Sequence, residues 1–98
     1  MRIEFDPIKD AANQRKHGRS LSMVVHLDWE RAWMWPDLRQ DYGETRFIAL
    51  VPAGPRLYCI VLVFREDAHR IISARRANRR EYRRHEQYEK ANPAENAD

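Results

Sequence analysis

Eight consecutive apolar residues, LYCIVLVF at positions 57–64, constrain the fold of this chain more than any other stretch. They do not alternate with polar residues, so a strand built from them has no side to give to water. It must sit centrally, covered on both faces or on one face plus a helix. Eight residues are far short of the ~20 a membrane helix needs, and the opening MRIEFDPIKD has no apolar targeting core, so a cytoplasmic protein is expected. The single cysteine, Cys59, lies inside the run. It excludes an internal disulfide and reads as a buried structural thiol in a reducing compartment. A chain of 98 residues can bury one core and hardly two. Residues 1–90 are therefore expected to form one domain, and the small, polar stretch 91–98 a loose tail.

The other elements are read around that strand. RIEF alternates as a short first strand, and Asp6, Pro7 and Gly18 punctuate a helix over 7–17. Ser20 can cap a second helix over about 21–30, with Leu21, Val24, Val25 and Leu27 on its apolar side. RAWMW, ending at Pro36, reads as an edge strand with Trp33 and Trp35 on one face. ETRFIALV and RLYCIVLVF flank PAGP as a hairpin, and HRIIS is a further strand. A last helix is expected from near Ala77 to about Lys90. The fold class is α+β, in the order β-α-α-β-β-β-β-α, with an antiparallel sheet packed by helices.

The charge follows the core strand closely. Residues 65–85 hold eight basic and three acidic groups, against nine and eight in residues 1–64 and one and four in residues 86–98. Clustered arginine of this kind favours a polyanionic partner. On a helical projection Arg76, Arg79, Arg80, Arg83 and Arg84 fall within roughly 140°, with Tyr82, His85 and Tyr88 opposite within roughly 120°. A solvated helix face is the plain alternative.

Three blocks carry a resemblance to a known family. FDPIKDAANQRKHGRSL resembles the opening signature of the BrnT toxins: an aromatic and Asp, a Lys, an Asn, then Lys-His-Gly. YGETRF is similar to the Glu and Arg that open the family's middle hairpin, and RIISARRANRREYRRHEQY to its closing signature. The similarity spans roughly residues 3–88; after the first hairpin strand, where the family has a Gly, this chain has ALVPAGP. The resemblance implies a RelE-like fold and the toxin of a type II toxin–antitoxin pair. Such a toxin cleaves RNA without metal or organic cofactor and stops translation and growth. It also implies a BrnA-like antitoxin that sequesters the toxin, with a complex, expected as a heterotetramer, that binds its own promoter DNA.

Metal-free RNA cleavage needs a base for the 2′-hydroxyl, a proton for the leaving 5′-oxygen and cations for the crowded phosphorane. The candidate catalytic residues are Lys16, His17, Arg75, Glu81 and Tyr82. The candidate RNA-binding residues are Arg46, Arg70, Arg76, Arg79, Arg80 and Arg83. His17 titrates near neutrality, and Lys16 beside it favours its neutral form; its alternative role is to complement a helix C-terminus. Arg75 and Arg76 are expected where the last strand passes into the last helix, both removable with little change in stability. Glu81 can equally pair with Arg84 or His85, and Tyr82 can equally be core. Glu44 reads as a surface carboxylate, His26 as structural and His69 as exposed. The histidines at 17, 26, 69 and 85 lack metal-ligand spacing, and no glycine-rich phosphate loop is present. Trp29, Trp33 and Trp35 suit a core or a partner surface, with base stacking as the other use. Two further readings remain open: a non-catalytic nucleic-acid-binding or corepressor subunit, and a degenerate toxin retained as an interaction module.

Overall fold

A computed structural model describes residues 2–39 and 41–92. The chain order is β1 (Arg2–Phe5), α1 (Pro7–His17), two 3-10 segments (Leu21–His26 and Trp29–Arg31), β2 (Trp33–Pro36), β3 (Phe47–Ala53), β4 (Arg56–Arg65), β5 (Ala68–Arg76) and α2 (Arg79–Ala91). The strands form one sheet in the order β1-β5-β4-β3-β2. The unbroken apolar run is therefore the middle strand, as its composition requires. β2 through β5 form the expected antiparallel meander, but β1 runs parallel to β5, pairing Arg2 with Ala68 through Phe5 with Ile71. The expected all-antiparallel sheet is thus corrected to a mixed one. The expected tail lies outside the described residues from position 93 onward; Ala91 closes α2, and Asn92 follows as its cap.

One face of the sheet holds the main core. Leu21 and Val24 of the first 3-10 segment and its C-cap Leu27 pack on Ala49, Val51, Tyr58, Ile60, Leu62, Ile71 and Ala74. The expected second α-helix is absent for a local reason. The Asp28 amide donates to the Pro52 carbonyl of β3 at 2.8 Å, and the Trp29 indole N–H donates to the Val24 carbonyl at 2.8 Å. Groups that would continue an α-helical ladder instead fasten the segment to the sheet, and two short 3-10 turns result. A smaller core of Leu50, Leu57 and Cys59, flanked by Trp33, Trp35, Ile48 and Ala77, lies on the opposite face.

Two devices position what surrounds that second face. The first is Asn13, buried in α1, which supplies its amide to the edge of β5 where β1 has ended. Its Nδ2 donates to the Ala74 and Arg19 carbonyls (2.9 Å each), and its Oδ1 accepts the Ala74 amide at 3.1 Å. Asn13 thus satisfies strand groups that would otherwise be buried unpaired. The second is a register shift at Val61/Leu62: Val61 faces Ser73 and Leu62 faces Ile71, which leaves Ile72 as an extra residue in β5. Both Ile72 and Ser73 then line the same cavity. The β3–β4 hairpin closes in two residues, Gly54 and Pro55, with Gly54 at φ +60°, a value that suits glycine in a tight hairpin turn.

Candidate nucleic-acid interface

α2 begins with a reciprocal cap: Asn78 Oδ1 accepts the Glu81 amide and Glu81 Oε1 accepts the Asn78 amide, both at 2.9 Å. The side expected to face the body does so. Tyr82 Oη accepts the Leu57 amide at 2.9 Å, and His85 Nε2 donates to the Arg31 carbonyl at 2.8 Å. Tyr88 stacks on Trp33 with ring centroids 5.5 Å apart and an 11° interplanar angle. Farther along, Arg31 grips Glu89 through Nε and Nη2 at 2.6–2.8 Å. Held this way, the helix turns Arg80, Glu81 and Arg84 over the sheet face that α1 flanks on the other side.

Between them is a groove of about 1030 Å³. Its floor is apolar, made by Ile48, Cys59, Val61 and Ile72 with Ser73 beside them. One wall is α1, with Lys9, Lys16 and His17; a second is α2; the third is the segment Trp35–Arg39 that leaves β2. Arg75 enters from β5, opposite Cys59 in register. Lys9, Lys16, Arg80 and Arg84 form no ion pair among the described residues, so four cations face one concavity uncompensated.

The acids present are engaged. Glu81 takes the Arg75 fork, Nη1 to Oε1 and Nη2 to Oε2, both at 2.9 Å. Burial works against its ionisation, but the hydrogen bonds from Arg75 and the Asn78 amide prevail and hold its carboxyl below the usual range. Glu81 thereby pairs with Arg75, and the expected partners Arg84 and His85 are not used. Asp37, with a side chain only 1% exposed, accepts from Arg39 Nε and Nη2 (2.8 Å each) and from Tyr42 Oη at 3.0 Å. The Arg39 bonds, against the penalty of burial, keep that carboxylate far below its ordinary value. This anchor fixes the loop that forms the third wall and was not foreseen from the sequence. Burial, then the charges of Lys16, Arg75 and Arg19, lowers the His17 pKa, so the imidazole is neutral at pH 7. Burial pushes the Cys59 thiol up to about 11, as befits an inert structural cysteine.

Of the residues singled out in the sequence, Lys16, His17, Arg75, Arg80 and Glu81 meet at this groove. Tyr82 lines a second, smaller cavity at the hairpin end. Arg76 follows Arg75 and is exposed, its register partner being Tyr58 of the main-core face. Arg79 and Arg83 are exposed and do not line the groove. Arg70 pairs with Glu4 at 3.4 Å, and Arg46 lies 4.1 Å over the Tyr42 ring. Glu44 pairs with Arg65 at 3.3 Å on the surface. Two histidine expectations are exchanged. His26 is exposed, whereas His69 is half-buried, edge-on to Trp29 and Phe64. Lys9, Arg39 and Arg84 are groove cations outside the candidate residues read from the sequence, although Arg84 lies on the projected arginine face. For Lys9 the signal was present: it stands seven residues before Lys16, two turns along one helix face.

Among the described residues no three His, Cys, Asp or Glu side chains converge as a metal-binding group, and no helix is long and apolar enough to cross a membrane. A cation-walled groove holding a histidine of lowered pKa is electrostatically suited to an anionic ligand. The sequence model of the ribonuclease toxin, BrnT, of type II toxin–antitoxin systems matches residues 5–81, and the chain belongs to that family. The match takes in every groove residue but Arg84. Membership implies ribonuclease activity and an antitoxin protein as partner. No curated protein matches the chain.

Proposed function

We propose that this protein is a metal-independent endoribonuclease of RelE-like architecture that cleaves RNA in the groove, inhibits translation and is neutralised by a BrnA-like antitoxin. The complex is read as a heterotetramer that reaches promoter DNA through the antitoxin. The observation that carries this reading is the set of four unpaired cations around one apolar floor, Lys9 and Lys16 beside His17 on α1 and Arg80 and Arg84 on α2 opposite. His17, kept neutral, takes the proton of the attacking 2′-hydroxyl. Lys16, Arg80 and Arg84, with Lys9 and Arg39 at the margins, hold the phosphate and the charge that grows on it. Arg75 presents its guanidinium beside them, and Glu81 is a positioning residue that fixes Arg75 by its two hydrogen bonds. Lys16 is read as the proton source for the leaving 5′-oxygen.

Purified protein incubated with RNA in excess EDTA is expected to yield fragments ending in 2′,3′-cyclic phosphate. Intact RNA with retained binding would instead support the non-catalytic subunit. A pH profile tests His17. Because its pKa lies below the ordinary 6.5 and the neutral form acts as base, kcat/KM should be flat near pH 7 and fall only as pH drops below about 6.5. His17→Ala should remove that acidic limb and lower the rate by about 10²- to 10⁴-fold. A limb that persists in the variant assigns the base elsewhere.

A further inference from the structure

We infer that Trp35 is a stacking platform for one base of a single-stranded RNA, at a subsite in the same groove as the cleaved bond; this rests on the ribonuclease reading above. The three tryptophans are not equivalent. Trp29 donates its indole N–H to the Val24 carbonyl at 2.8 Å and belongs to the main core. Trp33 lies between two rings, stacked on Tyr88 at 5.5 Å and tilted against Trp35 at 4.7 Å and 47°. Trp35 has only Trp33 as an aromatic neighbour among the described residues, its indole N–H has no acceptor there, and it lines the groove. Its position on β2, paired with Ile48, braces it from the floor side. Such an indole, half-buried and supported by a second ring, offers a fixed aromatic surface at little entropic cost.

The surroundings specify what would lie on it. Arg39, held by Asp37, follows four residues after Trp35, and Arg80 and Arg84 stand on the α2 wall. The floor between them is apolar, a place for a base and not for a phosphate. An aromatic plate flanked by cations on a track is the arrangement that binds single strands, the base stacking while the flanking phosphates meet the charges. Three strand spacings separate β2 from β5, about 14 Å. The base on Trp35 therefore belongs to a nucleotide about two positions from the one at His17 and Arg75, and Trp35 determines specificity and binding without touching the reacting atoms.

The test uses 2′-O-methyl RNA pentamers, which bind without being cleaved, intact or with the base removed at each position in turn. The wild-type protein should lose about tenfold in affinity when one particular base is missing. Trp35→Leu should bind the intact pentamer about tenfold more weakly and be indifferent to loss of that same base; Trp35→Phe should keep most of the preference. Under cleavage conditions the Trp35→Leu change should appear in KM, with kcat within about threefold. Equal wild-type affinity for all the pentamers overturns the inference, as does an unchanged base penalty in Trp35→Leu. Failure of every pentamer to bind overturns the RNA reading itself, a result distinct from either.

Discussion

Replacing Arg75 with alanine should lower RNA cleavage by about 10²- to 10³-fold and also cost about 2 kcal/mol of stability, whereas Arg76→Ala should leave both nearly unchanged. The asymmetry follows from the strand. Residues 75 and 76 point to opposite faces of β5, so one enters the groove and the other does not. Arg75 holds Glu81 by a two-pronged pair whose carboxylate is 15% exposed, tying the last strand to the first turn of α2. Without it, Glu81 keeps the Asn78 amide and the Cys59 thiol. The sequence expectation that both arginines could be removed without loss of stability is therefore revised for Arg75. Calorimetry should show Arg75→Ala melting about 10 °C lower than wild type. Equal melting of the two variants would mean that the Arg75–Glu81 pair contributes nothing net, as exposed pairs often do.

The largest stability effect is expected at Asn13. Its side chain satisfies both backbone groups of Ala74 and the Arg19 carbonyl from a position 5% exposed. Leucine fills similar space but bonds to none of them. Each buried group left unpaired costs about 1–3 kcal/mol, so Asn13→Leu should lose about 3 kcal/mol and melt some 15 °C lower. Chemical denaturation measures this directly. A loss under 1 kcal/mol would show that water reaches the β5 edge and that Asn13 is not the tether of α1.

Much of this architecture was legible because its causes are local. The unbroken run at 57–64 could only be a central strand, and the Asp6, Pro7 and Gly18 punctuation bounded α1 correctly. The projection of the last helix separated Tyr82, His85 and Tyr88, which bind the body, from the arginines. What escaped depends on contacts distant in sequence. The parallel pairing of β1 with β5 joins residues 66 apart, and no periodicity encodes it. The helix expected at 21–30 had adequate capping and an apolar side, but the pull of Pro52 on the Asp28 amide replaced its ladder. In the candidate site, Lys16 and His17 were singled out with the help of the family resemblance and Arg80 by the helical projection, and all three line the groove. Arg39 was not singled out, because its place depends on the buried Asp37 anchor. Glu81 is a candidate acid or base by residue type; that both its oxygens accept from Arg75 depends on a contact between β5 and α2.

Contact between the groove cations and the phosphodiester backbone of RNA is read from the salt dependence of binding. Each phosphate contact on a single strand contributes about 0.7 to the slope of log K against log salt concentration. The affinity of an uncleavable 2′-O-methyl RNA should be measured across salt concentrations for the wild type and for Lys16→Ala/Arg80→Ala/Arg84→Ala. These residues are exposed, so the variant should melt within a few degrees of wild type. The variant's slope should be shallower by about 2; an identical slope in the two proteins would mean that these cations do not touch the RNA backbone.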